Sequence, residues 1–117
     1  MAMTAQWSNQ LVASDLEVVL ATLGRVESNL AEVHLFLANH LAVRARLPAA
    51  HARSGLMALM RAVDGTVDPA AAAAVRHFYC LVLQALDVAM QYQRLAELRT
   101  MLTALAEVRA SWATAGD

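Results

Sequence analysis

The apolar residues between Val75 and Trp112 change phase once along a stretch without Gly or Pro, and this change limits how the chain can fold. Over residues 75–89 they alternate at spacings of four and three, the pattern of a buried helix face. After residue 94 they come one or two positions too early for that pattern. Because a one-residue shift turns the face by about 100°, one straight helix cannot bury both stripes. The pattern predicts two helices that fold back on each other through a tight turn near residues 91–94, with one long helix as the alternative.

A similar stripe in the first half of the chain predicts another long helix. Leucines and valines alternate at spacings of three and four over three repeats. Ser14 and Glu17 form a capping box, which places the start of helix 1 at residue 15 and its span at 15–38. Gly24 lies inside this helix, where it costs about 1 kcal/mol relative to Ala. We therefore expect a neighbouring helix to approach the backbone closely at Gly24.

Turn-forming residues mark the limits of the second helix. Asn39 indicates the first turn, and Pro48 either begins helix 2 or kinks its first turns. The apolar pattern that follows places helix 2 at 48–64. Asp64-Gly65 ends this helix, since Gly suits the left-handed closing residue.

The pair Asp68-Pro69 is a typical helix start, so helices 3 and 4 are placed at 69–91 and 94–113. Four helices joined by short loops must alternate in direction. The sequence therefore predicts an all-α fold, an antiparallel up-and-down four-helix bundle over residues 14–117, preceded by a short N-terminal arm at 1–13.

Composition agrees with this fold and indicates the cellular compartment of the protein. The 117 residues are 59% apolar and include only 4 Gly and 2 Pro, which favours helices. A net charge of -1 indicates neither nucleic acid nor an anionic membrane as partner. The lone Cys80 and the lack of a signal-peptide pattern favour a cytoplasmic location. The most apolar uncharged run, residues 78–86, is too short to span a bilayer, so no membrane insertion is expected.

The chain carries more apolar residues than a small bundle needs, with a mean hydropathy of +0.44. Apolar side chains outside the core stripes suit a surface that covers a helical partner, and methionines adapt to varied partner surfaces. The same positions also suit residues that flank the core. The candidate client-binding residues are Trp7, Val18, Leu20, Met57, Phe78, Leu81, Met101 and Val108.

Motifs for chemistry are weak, so we expect no catalytic residue, no metal, no cofactor and no enzyme. His77 and Cys80 have helical i, i+3 spacing, but a third metal ligand is not evident nearby. No Glu-x-x-His pair or phosphate-binding loop occurs. A helical enzyme would need arginines that converge in a cavity of the bundle. The structure decides whether His34, His40 and His51, which surround the first turn, lie together as metal ligands. It also decides whether Arg25, Arg44, Arg61 and Arg76 converge in such a cavity.

Short motifs along the chain together resemble the FliS-type flagellin export chaperones. The sequence from Leu102 to Trp112 resembles the closing helix of that family, which ends in Arg-x-x-Trp. The region of Tyr79 resembles its Leu-Tyr-x-Tyr helix start, and Arg61-Ala62-Val63-Asp64 the end of its second helix. Leu35-Phe36-Leu37 and Ala13-Ser14-Asp15 resemble its apolar triplet and its Ala-Ser-Pro. The order and spacing of these motifs cover nearly the whole chain.

The chain departs from the family at four points, the first of which is a short N-terminal arm in which Trp7 alone can stand for the family's usual aromatic residue. Thr22-Leu23-Gly24 stands where the family has Tyr-Asp-Gly, Asp15 replaces a Pro, and Gln91-Tyr92-Gln93 replaces an Asn/Asp-rich turn. The resemblance implies a cytoplasmic chaperone that binds the C-terminal helices of flagellin, prevents premature polymerisation and delivers flagellin to the flagellar export gate without a cofactor. The alternative is an obligate helical homodimer that acts as a structural or scaffold protein.

Overall fold

The computed structural model describes residues 13–63 and 69–115, and these residues form four α-helices and no strand. Side chains are described for 16–63 and 69–114. The helices are α1 (Ala13–Ala38), α2 (Ala42–Val63), α3 (Pro69–Tyr92) and α4 (Ala96–Ala115). The predicted caps at Ser14 and Asp68 and the predicted end at Asp64-Gly65 lie outside the described side chains.

Contacts between α2 and α3 show that these helices run antiparallel. Arg53 Nη2 lies 2.7 Å from Asp87 Oδ1. Cys80 Sγ lies 4.0 Å from Met60 Sδ. Residue numbers rise from 53 to 60 on α2 while they fall from 87 to 80 on α3, which fixes both the direction and the register of the pair.

The contact between α4 and α1 closes the bundle in the same way. Arg109 Nε donates to the Glu27 carboxylate, and Arg99 Nη2 lies 3.5 Å from His34 Nε2. These two helices are therefore antiparallel as well. Since α1 also packs on α2, and α3 on both α2 and α4, the described helices form a closed ring. The predicted all-α, up-and-down four-helix bundle is confirmed.

Each predicted apolar stripe faces the axis of this bundle. The stripe of α1 is buried from Val19 to Leu37, and the stripe of α3 is buried from Val75 to Ala89. In α4 the buried positions follow the shifted phase, since Leu98, Leu105 and Trp112 are at most 1% exposed. Leu95 and Leu102 are half-buried against the same core. Together these side chains form one continuous aliphatic cluster with two large aromatic rings, those of Tyr79 and Trp112.

The change of phase marks a real turn, so helices 3 and 4 are separate as predicted. α3 ends at Tyr92 and α4 begins at Ala96. Gln93 adopts the left-handed conformation with φ 56°, and its amide donates to the Ala89 carbonyl at 2.9 Å. A single left-handed residue is enough to end the helix and reverse the chain, so no Gly or Pro is needed.

The first turn also ends its helix, α1, with a single left-handed residue. His40 has φ 61°, and its amide donates to the Leu37 carbonyl at 3.1 Å. The Leu41 amide donates to the Phe36 carbonyl at 2.7 Å. These are the two hydrogen bonds of a Schellman motif, which satisfies carbonyls left open at a helix end.

The predicted start of helix 2 at residue 48 is wrong, because α2 begins at Ala42; the alternative that places Pro48 inside the first turns of this helix agrees with the structure. Pro has no amide hydrogen, and in a helix interior it costs about 3 kcal/mol. Pro48 lies in the second turn of α2, where it is buried together with Ala45 and Ala49. Burial of this small-residue face against the core offsets the cost of the proline.

The close approach expected at Gly24 is also wrong, since no atom lies within 4 Å of a Cβ placed there. The close approach occurs instead at Gly55 of α2. A Cβ at this position would lie 2.6 Å from Val26 Cγ2 and 3.8 Å from Thr22 Cγ2. Gly55 therefore allows α1 and α2 to pack more closely than any other residue would permit.

α3 is long and apolar enough to cross a membrane when judged by length and composition alone. It has 24 residues with a mean hydropathy of 1.2 in its most apolar window. The run at 78–86 is too short by itself, but the alanines before it extend the apolar helix. One face of α3 is the core stripe of the bundle. Absence of membrane insertion stays a prediction.

Tyr79 is the buried polar group that the core accommodates least well. Its side chain is 0% exposed, and its hydroxyl has no hydrogen-bond partner among residues 13–63 and 69–115. Desolvation by burial raises the pKa of Tyr79 above its ordinary value. A buried hydroxyl without a partner costs about 1–3 kcal/mol, so the Tyr79 hydroxyl offsets part of the stability that burial of the ring contributes.

We predict that the two helical glycines respond to alanine in opposite directions. Gly24→Ala should raise the free energy of unfolding by about 1 kcal/mol, because it gains helix propensity and meets no atom. Gly55→Ala gains the same propensity, but it overpacks against the rigid, buried Val26 and should lower the free energy by about 1 kcal/mol net. Urea unfolding monitored by circular dichroism measures both. A stabilising Gly55→Ala would show that α1 and α2 do not pack this closely.

We predict that Tyr79→Phe raises the free energy of unfolding by about 1 kcal/mol at neutral pH, because it removes an unsatisfied hydroxyl. Above pH ~10 the unfolded tyrosine loses its proton while the folded one keeps it, so the native chain should lose about 1.4 kcal/mol per pH unit. The Tyr79→Phe variant should not show this loss of unfolding free energy above pH ~10. Tyr92→Phe is the matched control, since Tyr92 is 61% exposed and should change neither quantity.

Candidate functional site

An apolar groove runs along the surface between α3 and α4. Its volume is about 290 Å³, and it opens to solvent. The floor and walls are mostly carbon, with three polar side chains along the groove. The lining residues are Leu81, Gln84, Ala85, Val88, Glu97, Thr100 and Met101.

Helical spacing explains why these residues line one groove. Leu81, Ala85 and Val88 follow one another at spacings of four and three, directly beside the core stripe of α3. On α4, Thr100 and Met101 take the corresponding place beside the buried Leu98 and Leu105. The Thr100 hydroxyl already donates to the Ala96 carbonyl at 3.1 Å. The groove therefore offers apolar surface without an unsatisfied hydroxyl.

The predicted client-binding residues fall into two groups by exposure. Val18, Met57 and Leu81 are exposed, at 63%, 44% and 38%. The other described members are half-buried and pack against the core, so they contribute mainly to the bundle itself. These half-buried members are Leu20, Phe78, Met101 and Val108.

The structure brings only two of the described members into one site, since Leu81 and Met101 line the same groove. Val18 lies near the start of α1, and Met57 lies on α2 beside Arg53 and Arg61. The remaining candidate, Trp7, lies outside the described residues. The eight candidates therefore do not define a single surface.

Sequence reasoning missed an exposed apolar group near the first turn. Val43 is 72% exposed, and Leu47, one helical turn later, is 65% exposed. Leu35, near the end of α1, and Leu41, between the turn and α2, are also exposed. The i, i+4 spacing of Val43 and Leu47 was the available signal. The predicted helix 2 begins only at residue 48, so it leaves Val43 and Leu47 outside any helix.

A second cleft, lined by both polar and apolar side chains, runs along the outside of the bundle between α1 and α2. Its volume is about 370 Å³. Arg25 Nη2 donates to Thr22 Oγ1 at 3.2 Å, and Thr22 Oγ1 donates to the Val18 carbonyl at 2.8 Å. The remaining lining includes Val26, Asn29, His51, Ser54, Gly55 and Ala58.

The histidines expected around the first turn do not converge. His34 lies next to Arg99 of α4, whereas His51 lines the cleft between α1 and α2. His77 is exposed, and Cys80 is half-buried beside Met60. Within the described part of the chain, no three His, Cys, Asp or Glu side chains come together as a metal site.

The arginines that a cavity enzyme would need lie on the surface. Arg25, Arg44, Arg61 and Arg76 are all exposed, and they are distributed over α1, α2 and α3. They therefore form no interior cluster in residues 13–63 and 69–115.

The chain was compared with protein-family models, with curated proteins and with solved structures, and no match was found in any of the three.

Proposed function

We propose that this protein is a chaperone that covers the apolar face of a client helix in the groove between α3 and α4. The single observation that carries this proposal is the open apolar groove that includes Leu81 and Met101. An amphipathic helix binds such a groove through side chains spaced at three and four residues. Covering that face keeps the client from assembling with other copies of itself.

The identity of the client comes from the sequence resemblance to the FliS-type chaperones. It suggests the C-terminal helical segment of flagellin as the client and the flagellar export gate as the place of delivery. Such a chaperone works in the cytoplasm and needs no nucleotide or cofactor, because binding energy alone holds the client.

The composition of the groove supports a peptide helix as its occupant. Leu81 is partly exposed at the groove while Ala85 beside it is buried, which leaves a depression that a client side chain can fill. Met101 lies across the groove with an unbranched side chain that can adjust to the shape of the client. Gln84 and Glu97 provide polar contacts that can fix the orientation of the bound helix.

We predict that Leu81→Asp weakens binding of a flagellin C-terminal peptide at least tenfold, because burying an unpaired carboxylate opposes helix docking. Isothermal titration with the full chain measures both the affinity and the expected 1:1 stoichiometry. Val18→Asp is the matched control, since it places the same charge on an exposed position of α1. It should leave the affinity unchanged.

Equal weakening by both substitutions would contradict the groove as the binding site. An absence of peptide binding, combined with a stable dimer in dilute solution by light scattering, would favour the alternative. In that case the apolar surface is covered by a second copy, and the protein is an obligate helical homodimer.

A further inference from the structure

The charge of α2 differs sharply from that of the whole chain. The chain carries 9 basic and 10 acidic residues, yet α2 carries Arg44, Arg46, Arg53 and Arg61 and no acidic residue. Two of these arginines lie in the first turns, where the helix dipole disfavours positive charge. The near-neutral total charge therefore hides one strongly basic helix.

Four apolar side chains and one serine run between these arginines on the outside of α2. Val43, Leu47, Ala50, Ser54 and Met57 follow one another at spacings of four, three, four and three, and all five are exposed. They lie opposite the core stripe of the same helix. α2 therefore has a second, largely apolar face, which we call the outer face and define by these five residues.

The surroundings of the outer face are polar and mostly basic. On one side lies the cleft with Arg25, Asn29 and His51, which shares Ser54 with the outer face. On the other side Asp87 is already paired with Arg53. On α1, which packs against α2, Glu32 is an exposed acid. Positive charge therefore exceeds negative charge around this face.

A second copy of the chain does not suit the outer face. In a twofold dimer through α2, the arginines of one copy would meet those of the other, and α2 has no acidic residue to pair with them. A client helix also fits poorly, because it needs an apolar groove. The depression on the outer face is open and includes Arg53 and Arg61 in its lining, and the cleft beside it includes Arg25 and His51.

An anionic lipid surface matches all of these features. A bilayer needs no complementary groove, so it accepts exposed apolar side chains such as Val43 and Leu47. Its headgroup phosphates attract arginines that flank the inserted side chains, and the long arginine stems can reach them from the helix sides. We infer that the outer face of α2 is a docking surface for an anionic phospholipid bilayer, with α2 parallel to the membrane plane and Val43 and Leu47 at the acyl boundary. This surface is separate from the groove between α3 and α4, and the inference does not depend on the proposed client.

Co-sedimentation of the full chain with vesicles tests the inference. Vesicles of phosphatidylcholine and phosphatidylglycerol in equal parts should bind the protein, and vesicles of phosphatidylcholine alone should not. Added salt should weaken the binding, because it screens the arginines. The double variant Arg44→Gln/Arg46→Gln and the double variant Val43→Ser/Leu47→Ser should each lower vesicle affinity at least tenfold. Circular dichroism should show that both variants remain folded.

Two control variants separate the outer face from general effects. Arg94→Gln/Arg99→Gln removes the same net charge from the turn before α4 and from α4, and Leu81→Ser removes an exposed leucine from α3. Both should bind vesicles like the native chain. The inference is overturned if the native chain does not bind anionic vesicles, or if the controls lose as much affinity as the outer-face variants. It is also overturned if an acidic amphipathic peptide binds this face while vesicles do not, since the partner is then a protein helix.

Discussion

The bundle depends on the close packing of α1 against α2 at Gly55. Val26 Cγ2 lies only 2.6 Å from the position of a Cβ at residue 55, so any residue other than Gly would push against the Val26 side chain there. This contact lets α1 and α2 pack closely, and the stripes of α3 and α4 complete the core. The polar contacts between other helices, such as Arg53–Asp87, are partly exposed. Such pairs contribute little free energy, so they select the register more than they stabilise it.

Most of the fold could be predicted from the sequence, because an apolar stripe reports directly which side of a helix is buried. The stripe from Val75 to Ala89, the shifted stripe of α4 and the intervening turn all lie where the pattern placed them. The turn itself shows the limit of residue-type rules. Gln93 takes a left-handed conformation that Gly usually supplies, and only the change in phase revealed it.

The remaining features depend on neighbours that a single sequence does not specify. Gly24 and Gly55 are equivalent as helix residues, and only the partner helix decides which one needs to lack a side chain. Pro48 suggested a helix start because the cost of a proline inside a helix follows from the residue type alone. The burial that offsets this cost depends on the neighbouring helices. That error also concealed the outer face, since Val43 and Leu47 were not recognised as helical. The candidate site was only partly predicted, because exposure separates Leu81 from Phe78 although both are off-stripe apolar residues of one helix.

An even number of antiparallel helices returns the backbone to the side from which it started. Ala13 and Ala115 therefore lie at the same pole of the bundle, and the turns at Asn39-His40 and Gln93 lie at the opposite pole. The packing of the core does not depend on the order in which the helices are linked, because every helix contacts its two neighbours in a closed ring. A circularly permuted chain that opens between Asn39 and His40 and joins the former ends can thus retain the whole interior. In such a chain α2 would emerge first from the ribosome.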